Sequence, residues 1–239
     1  MPMAFESNSF HRVAIYAAPD PRSLWWRVGS EWLGRCASQA VAVTQPIISG
    51  IDPAELLRLT ADPRRYGWHA TLKAPFRLGT GIGFPALREA LAAIAQAHPA
   101  FDIGHFKVTH LGKFLALQSV DPPAALNALA NDCVQRLLPL AAPLNENELA
   151  RRRSARLTQQ EDALMLAWGY PWVLDRFNFH FSLTGPLTGL TEENLKRLHQ
   201  SAIDHFRNLP PLRMDRLSVF IEPSPGADFD MFEQVELAP

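Results

Sequence analysis

Two five-residue strings with the same alternation constrain the fold of this sequence more than any other feature. The strings are HATLK, starting at position 69, and HFSLT, starting at position 180. In a β-strand successive side chains point to opposite faces, so each string has one apolar and one polar face. The polar faces carry His69, Thr71 and Lys73 in the first string and His180, Ser182 and Thr184 in the second. The sequence therefore predicts two strands that each place an imidazole beside a hydroxyl.

The elements that follow the two strings come in the same order. Residues 69–119 and 180–237 each read as a motif strand followed by a helix, a strand, a turn and a strand. Helices between antiparallel strands favour an α+β fold over a doubly wound parallel sheet. This weak internal repeat predicts a single two-lobed domain over residues 1–239. The motif strands lie near 67–77 and 177–184, one in each lobe, with a cleft between the lobes.

Hydrophobic periodicity and turn residues place the other elements. Helices are predicted over residues 23–37, 52–60, 85–97 and 157–168, after Pro123, and after Thr191. Further strands are predicted over residues 12–18, 101–109, 113–119, 212–222 and 229–237. These elements cover most of the chain and leave no low-complexity segment.

Composition and charge restrict the possible partners. With 47% hydrophobic and 20% charged residues, the 239-residue chain is long enough to bury a large core. Its formal net charge of −1 disfavours a long nucleic acid, which needs many Lys and Arg contacts to phosphates. A small anionic ligand needs only a few local cations and is compatible with this charge. The sequence leaves the oligomeric state open.

The cysteines and the N-terminal residues bear on cellular location. Cys36 and Cys133 lie far apart and form no CxxC pair, which indicates two free thiols rather than a disulfide framework or a zinc site. Residues 1–10 show no signal peptide, and no apolar run reaches membrane-spanning length. The sequence therefore predicts a cytoplasmic protein that does not associate with membranes.

The histidine–hydroxyl pattern is informative only in its strand context. Three histidines have a Ser or Thr two positions later: His69, His180 and His199. His199 falls in a predicted helix, where positions i and i+2 point about 200° apart, so its neighbouring hydroxyl cannot act with it. A single strand histidine is more often a satisfied structural residue. The matched pair in matching halves of the chain favours a functional site.

Two imidazoles, each beside a hydroxyl, suit acid–base catalysis. Histidine titrates near neutrality, so a neutral ring can take a proton while a protonated ring gives one. We therefore predict that His69 and His180 are the catalytic acid–base pair, with the two roles left open between them. Thr71 and Ser182 are predicted to bind substrate by donating hydrogen bonds to oxygens on which negative charge grows.

Three further residues are predicted to bind substrate, each with a structural alternative. Lys73 shares the polar face of the first string and would add a positive charge, or it is a strand-end lysine in solvent. Tyr16, on the first predicted strand, lines the cleft or packs in the core. Thr184 extends the polar face of the second string or shapes the turn after it.

Other motifs are assigned structural roles. Gly79–Gly83 is similar to a dinucleotide loop, but its third glycine comes one residue early, which favours a turn. His105 and His110 fall on opposite faces of a strand, and no cluster has metal-ligand spacing, so no metal and no cofactor are predicted. The run Arg151–Arg153 is typical of a solvated helix end, with contact to an anionic substrate as the alternative.

The two motifs with their flanks resemble those of the 2H (two-histidine) phosphoesterase superfamily. The similar segments are RYGWHATLKAPFR, residues 65–77, and FNFHFSLTGP, residues 177–186. The superfamily includes LigT-type RNA 2′,3′-cyclic phosphodiesterases. The flanks are most similar to a branch of phosphonate-metabolism proteins encoded beside carbon–phosphorus lyase genes. The resemblance implies two pseudo-symmetric α+β lobes around a central cleft, each an antiparallel sheet with helices packed on its outer face.

The resemblance also implies an activity. It indicates metal-independent hydrolysis of a cyclic phosphate or small phosphodiester, with His69 and His180 as acid and base. The branch implies a ribose phosphate intermediate of phosphonate catabolism as the substrate. Two alternatives stay open. One is an RNA or nucleotide 2′,3′-cyclic phosphodiesterase, and the other is a non-catalytic protein that binds a phosphorylated ligand in the same cleft.

Overall fold

The computed structural model describes residues 10–239, in which the chain forms eleven β-strands and eight α-helices. The strands are β1 (Arg12–Ala17), β2 (Arg35–Cys36), β3 (Val41–Ala42), β4 (Ala70–Phe76), β5 (Phe101–Gly104), β6 (Phe106–Leu111), β7 (Phe114–Ser119), β8 (His180–Ser182), β9 (Leu212–Met214), β10 (Arg216–Glu222) and β11 (Asp230–Glu236). The helices are α1 (Leu24–Leu33), α2 (Pro53–Leu59), α3 (Ala61–Tyr66), α4 (Phe84–Ala97), α5 (Ala124–Arg136), α6 (Glu146–Arg153), α7 (Gln159–Trp168) and α8 (Glu192–Phe206). None of these helices has both the length and the hydropathy needed to cross a membrane.

Seven strands form one antiparallel sheet that contains both motif strands. Its order is β11-β10-β1-β4-β8-β7-β6, and each neighbouring pair is antiparallel. β4 and β8 are neighbours near the middle, where Ala70 pairs with Phe181. The predicted α+β class with antiparallel sheets is confirmed. The pairing of β4 with β8 joins the sheets of the two halves into one continuous sheet.

In the sheet, neither hairpin pairs with the motif strand that it follows in the sequence. The β6–β7 hairpin follows β4 in the chain, yet β7 pairs with β8. The β10–β11 hairpin follows β8, yet β10 pairs with β1, which in turn pairs with β4. Residues 69–119 and 180–237 are therefore not separate spatial units, although each motif strand is extended by a hairpin as the repeat suggests. Local periodicity does not reveal this exchange, because it carries no information on which distant strands pair.

Helices cover the sheet face that is opposite to the histidines. In α1, Trp25 packs on Phe181, which points away from its neighbours His180 and Ser182 because strand residues alternate. In α8, Phe206 stacks on Trp68 with 5.5 Å between the ring centroids. α5 packs on β4, and α4 packs on β10 and β11. The helices therefore lie on the outer face, as predicted.

Gly29 lets α1 approach the chain beside the first motif. A Cβ built on Gly29 would lie 2.0 Å from the Trp68 ring, which no real contact allows. Trp68 is fully buried and directly precedes His69. The absence of a side chain at Gly29 therefore fixes the position of the residue that leads into the first histidine.

Some predicted elements differ from those in the structure. Residues 101–109 divide at Gly104, whose φ of 87° separates β5 from β6. Residues 212–222 divide at Asp215, between β9 and β10. The detached pieces, β5 and β9, pair with each other in a separate small sheet. α6 escapes prediction because none of its residues is buried, so it has no apolar stripe.

Candidate active site

The two motif strands bring four polar side chains together on one face of the sheet. Ala70 of β4 pairs with Phe181 of β8. Continuing this antiparallel register by one residue each way places each motif histidine opposite the hydroxyl residue of the other strand. Opposite residues have Cβ atoms about 4.5–5.5 Å apart, and diagonal neighbours such as the two histidines lie about 7–8 Å apart. The four residues of this square are His69, Thr71, His180 and Ser182.

Both histidines are oriented by the same kind of backbone contact. Nδ1 of His69 lies 2.8 Å from the carbonyl oxygen of Gly67, and Nδ1 of His180 lies 2.7 Å from that of Asn178. Because a carbonyl oxygen only accepts, each Nδ1 donates, and Nε2 of the neutral ring carries the free lone pair. Within residues 10–239 neither Nε2 has a hydrogen-bond partner. Both rings are therefore set to exchange a proton through Nε2.

The hydroxyls of the two motifs are also free. Thr71 and Ser182 are part-buried, and neither hydroxyl has a partner in the part of the chain that the structure describes. Such a hydroxyl can donate to a ligand oxygen without breaking an existing bond. Together with the two Nε2 atoms, the hydroxyls give this face four polar atoms that are ready for a ligand.

Aromatic rings and a glycine hold His69. The ring of Tyr16 stacks on the imidazole at 3.8 Å between centroids, and the ring of Tyr66 lies 6.0 Å away. Gly67 provides the carbonyl that accepts from His69. Its φ of 76° is rarely adopted by residues other than glycine, and a Cβ at this position would lie 2.4 Å from the Cβ of Ala37. These contacts enclose the imidazole on the apolar side of the site.

A chain of polar side chains holds His180. Gln118 lies opposite His180 and donates from Nε2 to Oδ1 of Asn178 at 2.8 Å. Thr109 donates its hydroxyl to Oε1 of Gln118 at 2.7 Å. The ring of Phe114 lies 5.6 Å from the imidazole. Since Asn178 also provides the carbonyl for Nδ1, this network fixes the second histidine from the solvent side.

Burial weakens both imidazoles as bases. The pKa of His69 is lowered to about 4, mainly by burial. The hydrogen bond to Gly67 raises this pKa, and the positive charge of His180 adds to the lowering. Burial also lowers the pKa of His180, and the hydrogen bond to Asn178 opposes that shift. Because the charge on His180 opposes protonation of His69, the two rings do not readily carry a proton at the same time.

Lys73 does not lie with the histidines, and the prediction of a shared face is wrong. β1 pairs Tyr16 with Thr71 but pairs Ile15 with Lys73, so β4 contains an extra residue at this point. A β-bulge of this kind changes the face to which the following side chains point. Lys73 is buried and donates from Nζ to the carbonyl of Val134, in α5, at 3.2 Å. This burial lowers the pKa of Lys73 to about 8.

Tyr16 and Thr184, which were predicted to bind substrate, are both buried. Tyr16 lies on the same sheet face as the histidines, where its buried ring stacks on the imidazole of His69. Oγ1 of Thr184 accepts the N–H of Leu115 at 3.0 Å. β8 ends at Ser182, so the alternation does not continue to Thr184. Thr184 therefore belongs to the packing of the strand end and not to the substrate-facing surface, which corrects the prediction.

Three residues beyond the four of the square border the site. Tyr66 and Tyr170 lie near enough to Tyr16 to interact with it electrostatically. The guanidinium of Arg152 lies over the Tyr170 ring, 5.2 Å from its centroid. Tyr66 lies in the flank of the first motif, three residues before His69, whereas the sequence marks Arg152 only within a basic run and gives no signal for Tyr170, because the proximity of these two depends on how α6 and α7 fold back.

The described residues contain no arrangement typical of a metal site. Over residues 10–239, no group of three or more His, Cys, Asp or Glu side chains could hold a metal ion. Cys36 and Cys133 are buried free thiols, as predicted.

The chain belongs to the family described as "Protein of unknown function (DUF1045)". The family profile matches residues 71–230. This segment includes Thr71, His180 and Ser182 and begins two residues after His69.

Two curated proteins are similar to nearly the whole chain. A protein of Janthinobacterium sp. (strain Marseille) is 39% identical over 232 residues, which are 96% of this chain and 51% of that protein. A protein of Laribacter hongkongensis (strain HLHK9) is 35% identical over 226 residues, which are 95% of this chain and 52% of that protein. Both are named ribose 1,5-bisphosphate phosphokinase PhnN. The chain thus spans about half the length of the curated relatives it matches, and their name describes the whole proteins.

Solved structures with low sequence identity are also similar. LigT of E. coli in its apo form has a TM-score of 0.46 and 12% identity, covering 98% of this chain and 99% of LigT. A protein described as a phosphoesterase has a TM-score of 0.44 and 11% identity, covering 96% and 99%. LigT in complex with 3′-AMP has a TM-score of 0.43 and 12% identity, covering 96% and 99%.

Proposed function

We propose that this protein is a two-histidine phosphoesterase, which hydrolyses a cyclic phosphate or a small phosphodiester without a metal ion. One observation carries the proposal. Two imidazoles with free Nε2 atoms alternate with two free hydroxyls on one sheet face, over adjacent strands. A phosphodiester needs such a set, since it must gain a proton at one oxygen while water loses one on the opposite side.

The pKa values favour one assignment of the acid and the base. His69 stays neutral down to low pH, so it is the base that takes a proton from the attacking water. His180 binds the first proton of the pair and gives it to the leaving alkoxide as the bond from phosphorus to that oxygen breaks. Thr71 and Ser182 donate to the non-bridging oxygens, where their hydrogen bonds strengthen as charge accumulates. Microscopic reversibility exchanges the two histidine roles in the opposite direction.

The substrate class that we favour is a ribose phosphate. The curated relatives share over a third of their matched residues with this chain, and their printed name refers to ribose 1,5-bisphosphate. A cyclic ribose phosphate presents the strained diester that the four polar atoms suit, and the resemblance of the motifs to phosphonate-metabolism proteins supports the same class. The chain would act as one two-lobed domain, and a cytoplasmic location stays a prediction.

A nucleoside 2′,3′-cyclic phosphate is the second candidate substrate. The part-buried ring of Phe114 lies 5.6 Å from the His180 imidazole and offers an aromatic surface beside the site. Stacking on such a ring stabilises a bound base by about 1–3 kcal/mol. RNA ends or short nucleotides fit this arrangement better than long RNA, given the net charge of −1.

The test is a hydrolysis assay on ribose and nucleoside cyclic phosphates in excess EDTA. We expect turnover in EDTA and a loss of about 10²–10⁴-fold in kcat for His69→Ala and for His180→Ala. His199→Ala is the matched control, because it removes a helix histidine that also precedes a hydroxyl residue, and it should leave kcat unchanged. Loss of all activity in EDTA would contradict the metal-free reaction. Full activity in either motif variant would contradict the histidine pair, and ligand binding without any turnover would indicate a binding protein.

A further inference from the structure

Arg152 is a part-buried arginine without an anionic partner. It lies near the end of α6, and Nε is buried with no hydrogen-bond partner in the described chain. Its single hydrogen bond, from Nη2 to the carbonyl oxygen of Pro75, is long at 3.5 Å. Arg152 makes no ion pair with any residue of the range 10–239. A guanidinium with five donors is therefore left largely unsatisfied in a partly desolvated place.

The carboxylate near Arg152 already pairs with another arginine. The charge of Glu148, one turn earlier in α6, acts on Arg152, but the carboxylate accepts its hydrogen bonds from Arg77, at 3.0 Å. Arg151 and Arg12 add like charge near Arg152, and burial is the main cause that lowers its pKa. Burying a charge without a partner is unfavourable, so an anion that pairs with Arg152 would stabilise this site.

Tyr170 connects Arg152 with the histidine site. The guanidinium lies 5.2 Å from the centroid of the Tyr170 ring, which holds it by a cation–π contact. Tyr170 in turn lies near enough to Tyr16 and Tyr66 to interact electrostatically with both, and the rings of those two tyrosines lie against or near His69. The Pro75 carbonyl that Arg152 reaches is on β4, the strand of Thr71 and four residues further along. At about 3.3 Å per residue, Thr71 and Pro75 are at most ~13 Å apart along the strand.

We propose that Arg152, held by Tyr170, binds a second phosphoryl group of the substrate. The reacting phosphodiester occupies the histidine–hydroxyl square, and the second phosphate lies towards α6 at the other end of the same cleft. The substrate is then a sugar or nucleoside that carries a cyclic phosphate and a terminal phosphate. That the group at the histidine–hydroxyl square is a phosphodiester rests on the proposed function. Binding of the second phosphate at Arg152 can be measured without turnover.

A binding experiment tests the second site without catalysis. Adenosine 3′-phosphate and adenosine 3′,5′-bisphosphate are titrated into the full chain by calorimetry. We expect the bisphosphate to bind about 10–100-fold more tightly, as charged hydrogen bonds of about 1.5–3 kcal/mol predict. Arg152→Met should abolish this preference. Arg151→Met, which removes an exposed arginine at the adjacent position of α6, is the matched control and should keep it.

A kinetic experiment then locates the effect. Nucleoside 2′,3′-cyclic phosphates with and without a 5′-phosphate are compared as substrates. Arg152→Met should raise KM about 10–100-fold for the 5′-phosphorylated substrate, leave kcat within about twofold, and leave the other substrate unaffected. Equal losses for both substrates would overturn the inference, as would equal affinities of the two ligands for the wild type.

Further outcomes separate this inference from the proposed function. A bisphosphate preference that depends on Arg152, without any turnover, would support the second site and overturn the hydrolase. Turnover with no preference for the second phosphate would do the reverse. If Arg152→Met does not fold, Arg152→Lys and Tyr170→Leu take its place. Arg152→Lys keeps the charge and should retain part of the preference, and Tyr170→Leu removes the ring that positions the guanidinium and should lose most of it.

Discussion

The two motif strands hold their histidines by the same backbone contact but enclose them differently. In both, Nδ1 donates to a carbonyl two residues earlier, at Gly67 or at Asn178. His69 then lies against the rings of Tyr16 and Tyr66, whereas His180 is supported by the polar Gln118–Asn178 pair. The same tautomer thus lies in two different environments, and burial lowers the pKa of both rings, that of His69 to about 4. A repeated motif can thus supply a base in one copy and an acid in the other.

The strongest way to test the equivalence of the two strands is to remove their hydroxyls one at a time. Thr71→Val and Ser182→Ala should each lower kcat by about 10²–10³-fold, because in the proposed mechanism each hydroxyl stabilises a non-bridging oxygen in the transition state. Steady-state kinetics on the cyclic phosphate of highest turnover measures both. Lys73→Met is the control within β4, and since its side chain lies against α5 it should leave kcat within about twofold. A loss comparable to that of Thr71→Val in this control would show that Lys73 acts at the site.

The unequal burial of the histidines predicts unequal effects of pH on folding. The pKa of His69 is lowered to about 4, from an unfolded value of 6.5, so its contribution to stability is present above pH 6.5 and is lost as pH falls towards 4. The full contribution is about 3 kcal/mol. Denaturant unfolding at pH 7 and pH 4.5 should show that His69→Gln reduces the loss of unfolding free energy on acidification. His180→Gln is the comparison and should reduce it less, and a larger effect at His180 would reverse the assignment of base and acid.

A substitution on the outer face of the sheet tests whether the surroundings of His69 can be changed without changing those of His180. Gly29→Ala would place a Cβ 2.0 Å from the Trp68 ring, and relieving that overlap should lower the free energy of unfolding by roughly 1–3 kcal/mol. Ring signals of His69 should shift in NMR spectra while those of His180 stay in place. Ser30→Ala is the matched control in α1, because the buried Ser30 hydroxyl has no hydrogen-bond partner among residues 10–239 and its loss should be neutral or stabilising. An unchanged unfolding midpoint in Gly29→Ala would contradict the close approach.

The smallest expected effect concerns the polar support of His180. Gln118→Leu removes the donor to Asn178 and should reduce kcat about fivefold, in line with ~1 kcal/mol for a neutral hydrogen bond. The His180 ring signals should move and those of His69 should not. Thr109→Val, one hydrogen bond further from the imidazole, should have a smaller effect. The order would be wrong if Thr109→Val reduced kcat more than Gln118→Leu.

Several features of the site followed from local sequence because they depend on alternation over a few residues. His69 with Thr71 and His180 with Ser182 each span two positions, and the structure pairs their strands directly. The same rule failed two residues further along. At Lys73 a β-bulge against β1 changed the face, and no local signal in the string marks it. At Thr184 the strand had already ended, and the hydroxyl was taken by the Leu115 N–H.

Long-range pairing decided what alternation could not. The order of elements suggested two contiguous halves, whereas β7 pairs with β8, and β10 pairs with β1 next to β4. Arg152 comes from α6, a helix without buried residues, and its place over Tyr170 depends on contacts across distant segments. No periodic pattern encodes such contacts.

By itself the sequence determined the α+β class, the two motif strands and the four polar side chains that they carry. These depend on the alternation of side chains along a strand and on the chemistry of each residue type, which are local properties. Only the tertiary structure decided that the strands are neighbours in one sheet, that Lys73 faces α5, and that the two histidines differ in burial. Pairing register, bulges and burial depend on residues that are far apart in the chain, so they are fixed when the whole fold packs.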